Sequence, residues 1–186
     1  VDTTGTDDIS GPVVCTPPTE THSIETASYT FSSTCENQAG RTAIATKTVK
    51  IDKTPPDFDI IYLNGAPNAN GWSNDNVALQ AVVAPELSNP VVCTPPVIPT
   101  ITAETPGTLV TVTCKNDAGL QTIKSVYVKL DKTPPVADII ITNGTEGANG
   151  WYTTNVVAEA TGSDDMSGPV TCVPQLQSQT TETDGV

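Results

Sequence analysis

The chain repeats itself. Ile51-Asp52-Lys53-Thr54-Pro55-Pro56 returns as Leu130-Asp131-Lys132-Thr133-Pro134-Pro135, and Asn70-Gly71-Trp72 returns as Asn149-Gly150-Trp151. Cys35-Glu36-Asn37-Gln38-Ala39-Gly40 returns as Cys114-Lys115-Asn116-Asp117-Ala118-Gly119, and Cys15 recurs at Cys93 and Cys172. Every offset is 78 or 79 residues, so the 186 residues hold about 2.4 copies of one pattern. Whatever the fold is, it must be made from a small element built several times. Pro-Pro supplies the boundary, because proline fixes φ, lacks an N–H and stops a strand. On that phase, residues 1–53 are the later part of one copy, 54–132 a complete copy, and 133–186 the earlier part of a third. Both ends fall inside a copy, which reads as a window on a longer array.

A unit of about 79 residues is small for a self-sufficient core, and such units usually carry a staple. The cysteines recur with the repeat. Cys15 and Cys35 are 20 apart and Cys93 and Cys114 are 21 apart, so the expected disulfides are Cys15–Cys35 and Cys93–Cys114. The partner of Cys172 would fall near position 193, outside the chain. Zinc would want tight spacings such as C-x₂-C, and none is present. Disulfides imply an oxidising, secreted setting: the cell exterior, the cell surface or the periplasm.

The unit reads as β throughout. With 31 Thr, 20 Val and 12 Ile, a third of the chain is β-branched, and 16 Pro and 13 Gly punctuate it. In the complete copy, strands are expected over 57–63, 76–83, 91–93, 98–103, 109–114 and 121–130, with turns at Asn64-Gly65, Asn70-Gly71 and Pro106-Gly107. Val126, Val128 and Leu130 fall on one face of the last strand. Trp72 and Trp151 read as core plugs rather than sugar-stacking rings, since each copy has few other aromatics. The fold class is all-β, with tandem antiparallel β-sandwiches of immunoglobulin type, each holding one disulfide within the unit.

Three motifs carry a resemblance: Asp165-Met166-Ser167-Gly168-Pro169 before Cys172, the Cys-x-Asn-x-Ala-Gly turn at Cys114–Gly119, and the Asp-Lys-Thr-Pro-Pro junction. Together they resemble the bacterial immunoglobulin-like repeats found in tandem in large secreted and surface-anchored proteins. The resemblance implies an Ig-like sandwich used as a stalk, spacer or adhesive module. The middle copy departs from it, with Pro85-Glu86-Leu87-Ser88-Asn89-Pro90 where the flanking copies have Asp-Asp-x-Ser-Gly-Pro.

Chemistry is sparse. Eight bases against 21 acids argue against nucleic acid, and no apolar run is long enough for membrane insertion. The single His22 is unmatched in the next copy, so it offers no triad and reads as a solvated side chain. Adjacent acids in Ser-Gly turns are not the paired carboxyls of a glycosidase cleft. No enzyme is expected. Calcium is the one metal with candidates: Asp7, Asp8, Asp164 and Asp165 in the turns, and Asp52, Asp57 and Asp131 at the Pro-Pro junctions. Asn143 opens the only N-x-[ST] sequon. Thr16, Thr19, Thr54, Thr94 and Thr133 beside prolines are candidates for O-linked sugar, so a glycoprotein is a further expectation.

The functional expectation is a non-catalytic repeat of an extracellular fibre, filament or surface stalk, its partners further copies of the same repeat in one chain or as a homopolymer. The alternative is an adhesin or carbohydrate-binding accessory module that meets a cell-surface glycan or host partner.

Overall fold

The computed structural model describes residues 1–182, so the last four residues of the 133–186 segment lie outside it. The described chain is all-β, with one 3-10 turn at Ala148–Gly150 and no α-helix. Its strands form several small sheets. The first is ordered β1 (Val14–Thr16), β2 (Thr26–Glu36), β3 (Thr42–Ile51). β4 (Phe58–Asn64) and β5 (Ala78–Val83) form a two-stranded sheet. β6 (Val92–Thr94), β7 (Thr105–Lys115) and β8 (Gln121–Leu130) follow in that order. The last sheet contains β9 (Val136–Asn143), β10 (Val156–Ser163) and β11 (Leu176–Gln179), with β10 in the centre.

The repeat is visible in the register. β1 pairs antiparallel with β2 so that Cys15 lies opposite Cys35, and β6 pairs antiparallel with β7 so that Cys93 lies opposite Cys114. Both pairs are disulfide-bonded. Each bridge therefore ties neighbouring strands of one sheet. In antibody domains the bridge instead joins two sheets. Closing a loop of this length stabilises by about 3 kcal/mol in the chain-entropy account. Cys172 carries no disulfide and is half-buried.

The chain divides into two compact units. The first comprises Val1–Ile61, Ala81–Val97 and Thr111–Lys124, and the second Tyr62–Gln80, Ile98–Val110 and Ser125–Val186. In the first, β2 buries alternate residues Phe31, Ser33 and Cys35 and exposes Ser32 and Thr34, the period of a half-buried strand. Phe58, Val112 and Cys114 are buried in the same unit. In the second unit Val77, Val128 and Leu130 are almost wholly removed from water, with Leu79 and Ile98 close behind. Each such side chain contributes about 1.5–3 kcal/mol on burial. Ser73 is buried beside them. Its Oγ donates to the Gly65 carbonyl at 2.6 Å, its N–H donates to the Lys129 carbonyl, and its own carbonyl accepts from Asp131 N–H.

Three local expectations are corrected. No strand forms over 98–103. Only Ile101 makes a bridge, to Val77, because Pro95, Pro96 and Pro99 remove the donors a ladder needs. The turn expected at Pro106-Gly107 is absent, and β7 runs straight through it from Thr105. The reason is Tyr127. A Cβ at position 107 would sit 2.1 Å from Tyr127 Cε1, so the glycine makes room for the ring instead of a turn. Nor are the tryptophans core plugs. Trp72 is half-buried with Lys129 Nζ 5.5 Å from its ring centre, and Trp151 is 60% exposed. The turn before Trp72 explains this, since Asn68 Oδ1 accepts from Asn70 N–H and Trp72 N–H and leaves the ring at the surface.

The close approach at Gly107 generates a test. Gly107→Val should destabilise by about 1–3 kcal/mol, the usual cost of overpacking. In a Tyr127→Ala background the same change should be nearly silent. Denaturant melts of the four proteins check this, and an equal penalty in both backgrounds would rule out the ring as the cause.

Candidate functional site

The two Asp-Lys-Thr junctions are held by matching sets of hydrogen bonds outside the strand ladders. Each junction is held by two carboxylates. From the preceding strand system, Glu25 Oε1 accepts from Lys53 N–H at 2.7 Å and from Thr54 Oγ1 at 2.8 Å. Glu104 Oε1 does the same for Lys132 N–H and Thr133 Oγ1, at the same distances. The lysines point back: Lys53 Nζ donates to the Ser23 carbonyl at 2.5 Å and Lys132 Nζ to the Thr102 carbonyl at 2.6 Å. All four positions, 23, 25, 53 and 54, map onto 102, 104, 132 and 133 at an offset of 79.

The second carboxylate is the junction aspartate. Asp52 Oδ1 accepts from Thr54 N–H at 3.0 Å, and Asp131 Oδ1 accepts from Thr133 N–H at 3.0 Å. Asp52 also reaches forward. Its Oδ2 accepts from Ser88 Oγ and, at 3.0 Å, from Asn116 Nδ2. The Asn116 amide also donates to the Thr54 carbonyl at 3.1 Å and approaches Glu86 Oε1 at 3.4 Å. Its own Oδ1 accepts from Leu120 N–H, which fixes the amide's orientation. Asn116 is buried, and it supplies the positive hydrogens that let Asp52 and Glu86 lie close together.

The Ser-Gly-Pro loops are built the same way. Asp7 accepts from Ile9 N–H, Ser10 N–H and Asn37 Nδ2. Asp164 accepts from Met166 N–H and Ser167 N–H, with the Asp131 carboxyl beside it. In the middle copy Glu86 takes this place. It sits one residue later than the aspartate it replaces and is one methylene longer, and it receives Leu87 N–H, Ser88 N–H and Asn116.

These donors hold several carboxyls below their ordinary range. Asp7 is depressed chiefly by Ser10 N–H and Asn37, and Asp52 chiefly by the Ser88 hydroxyl. Glu104 is lowered by the Thr133 hydroxyl and Lys132 N–H, and Asp164 by Ser167 and Met166 N–H. Asp57 is lowered by Lys124, whose Nζ lies 3.0 Å from Asp57 and 3.1 Å from Asp59.

Of the calcium candidates, Asp131 and Asp164 lie beside each other, and the others are dispersed. Asp7 and Asp164 are occupied by loop N–H groups, Asp57 by Lys124, and Asp52 by Ser88 and Asn116, while Asp8 and Asp165 are exposed. Among the described residues, no group of three or more His, Cys, Asp or Glu is placed to hold a metal ion. Of the sugar candidates, Thr16, Thr19, Thr94 and Asn143 are exposed, whereas the Thr54 and Thr133 hydroxyls are engaged by Glu25 and Glu104. His22 is not the solvated side chain expected. It stacks on Tyr29 with ring centres 3.7 Å apart, its Nε2 is buried without a partner, and Tyr29 Oη donates to Glu20.

Sequence reasoning missed Glu25, Glu104 and Asn116 as junction residues. All three were visible as repeat-conserved or turn positions, but their partners lie 28 to 64 residues away. No protein-family model matches the chain, and no curated protein matches it.

A carboxyl depressed on folding adds stability that is fully present above its unfolded value and is lost as pH falls through its folded value. The thermal midpoint should therefore be flat above about pH 5 and fall in more acid solution. Asp7→Asn should lower the neutral-pH midpoint and flatten the acid limb. A limb with unchanged slope in that variant would show that Asp7 carries none of the effect.

Proposed function

We propose that the chain is a structural repeat segment of an extracellular fibre, filament or surface stalk, made of tandem Ig-like β-sandwiches of about 79 residues. The observation that carries this reading is the duplicated grip on the junctions, where a glutamate behind and an aspartate within hold the same Lys-Thr step. A linker made for flexibility would be Gly- or Ser-rich and solvated. Here the connection is Thr-Pro-Pro, with its last free N–H groups hydrogen-bonded. A unit repeated head to tail generates a rod or filament.

The disulfides suit this role. They fit an oxidising compartment outside the cell, and they tie β1 to β2 and β6 to β7, so tension cannot strip the short three-residue strands from their neighbours. Among the described residues no helix is long and apolar enough to cross a membrane. The depressed carboxyls act as acceptors that stay ionised, which keeps the grips intact in mildly acid surroundings.

A second reading rests on Trp151 and Tyr152, which present aromatic surface at a turn in the last segment. They would suit an adhesin or a carbohydrate-binding accessory module.

Electron microscopy of native material separates the two. The structural reading expects a regular filament with an axial repeat of about 40 Å, the reach of strands of this length plus turns. Dispersed globular particles, together with glycan binding abolished by Trp151→Ala, would reverse the ranking.

A further inference from the structure

One face of β8 in the complete copy carries a cluster that the strand pairing does not require. Val128 and Leu130 are buried, so alternation turns Tyr127 and Lys129 to the opposite side. Lys129 is half-buried and extends over Trp72, with Nζ 5.5 Å from the ring centre. Tyr127 lies across Gly107 of β7, where even a Cβ would meet the ring at 2.1 Å, yet the residue is 60% exposed. One side of the ring rests on backbone and the other faces water. Leu109 is two residues along β7, on the same face as Gly107, and is equally exposed.

Comparison of the copies separates scaffold from addition. At an offset of 79, Leu109 and Tyr127 correspond to Thr30 and Thr48. Those two lie opposite each other in the ladder of β2 and β3 and share a hydroxyl hydrogen bond at 2.8 Å. Gly107 corresponds to Ser28 and Lys129 to Lys50. Thr30, Thr48 and Lys50 are exposed too. The lysine therefore belongs to the pattern. The ring, the glycine beneath it and the leucine beside it stand in the middle copy where the first copy has hydroxyls. A pair of threonines serves the same place in a ladder, so the aromatic ring is surplus to the fold.

The chemistry of the cluster narrows its occupant. Trp72, Leu109, Tyr127 and Lys129 are too few for a stable protein interface, which takes about 20–30 residues a side. They match one or two sugar rings. The C–H face of a pyranose packs on an aromatic ring, and a tyrosine already fixed on backbone loses little freedom when it is covered. Among the described residues, the Tyr127 hydroxyl has no hydrogen-bond partner and Lys129 Nζ no carboxylate partner. An unpaired ammonium beside the ring is a ready partner for a carboxylate.

We propose that Tyr127, with Lys129, Trp72 and Leu109, forms a binding site for an acidic sugar, a uronic acid or another carboxylated pyranose. The sugar ring stacks on Tyr127 and its carboxylate meets Lys129. The site does not rest on the filament reading, since a fibre or a free-standing module can carry it, and it does not use Trp151 or Tyr152. A regular filament without sugar binding would sink only this proposal. Binding without a filament would sink only the other.

Titration of the 186-residue chain with a galacturonic acid trimer and with sialyllactose, followed by heteronuclear NMR, tests it. A dissociation constant on the order of 1 mM is expected for at least one of them, with shifts centred on residues 107–109 and 127–129. Tyr127→Ala should weaken binding about tenfold or more, and Tyr127→Phe should retain most of it. Lys129→Met, or a neutral probe (the trimer's methyl ester, or lactose), should weaken it about two- to fivefold, the worth of an exposed ion pair. Trp151→Ala should change nothing. Circular dichroism checks that each variant folds. No response to either acidic probe at about 20 mM overturns the proposal. So does equal binding of the neutral probes, or unchanged affinity in Tyr127→Ala. Shifts that grow with protein concentration in the absence of sugar and vanish in Tyr127→Ala would also overturn it, by assigning the cluster to a second copy of the chain.

Discussion

Everything else in this chain hangs on the hydrogen bonding of a three-residue step, Asp-Lys-Thr, where one copy of the repeat gives way to the next. Two prolines follow it and donate nothing, so the N–H groups just before them are the last the connection has. Glu25 and Glu104 take one of these from outside the step, and Asp52 and Asp131 take another from within it. Lys53 and Lys132 then send their ammonium groups back to carbonyls of the same segments that supply the glutamates. The loop is closed in both directions by charge-assisted bonds, which are shorter and stronger than neutral ones.

The electrostatics follow from that choice. Acids are used as acceptors for backbone and amide hydrogens far more often than as partners of bases. Asn116 shows how this is tolerated. One neutral amide, with its oxygen fixed by Leu120 N–H, points both its hydrogens at a space shared by Asp52, Glu86 and the Thr54 carbonyl. A lysine there would bring a charge that needs hydration. The amide brings only a dipole, already aimed.

The extent to which this was legible from the residues varied with distance along the chain. The all-β character, the cysteine pairs and strand β8 over Gln121–Leu130 followed from composition, repeat spacing and alternation. These signals are local or are duplicated. The Ile98–Ala103 segment looked like a strand by residue type, but its prolines had the stronger say. Pro106-Gly107 has the letters of a turn, yet the glycine answers to a tyrosine 20 residues later. Glu25 and Glu104 carried no motif of their own. Their role depends on donors 28 and 29 residues away, and only their common offset of 79 marked them.

Glu86 has a consequence of another kind. Where the flanking copies place an aspartate, the middle copy moves the acid one residue along the chain and lengthens it by one carbon, and the oxygen arrives at the same loop donors. What the repeat preserves at this corner is a point in space, not a letter at a position. Comparison of copies by aligned residues would score the middle loop as a loss. Comparison by where its acceptor falls would score it as intact. Copies of such a chain can therefore drift apart in spelling while remaining interchangeable as parts.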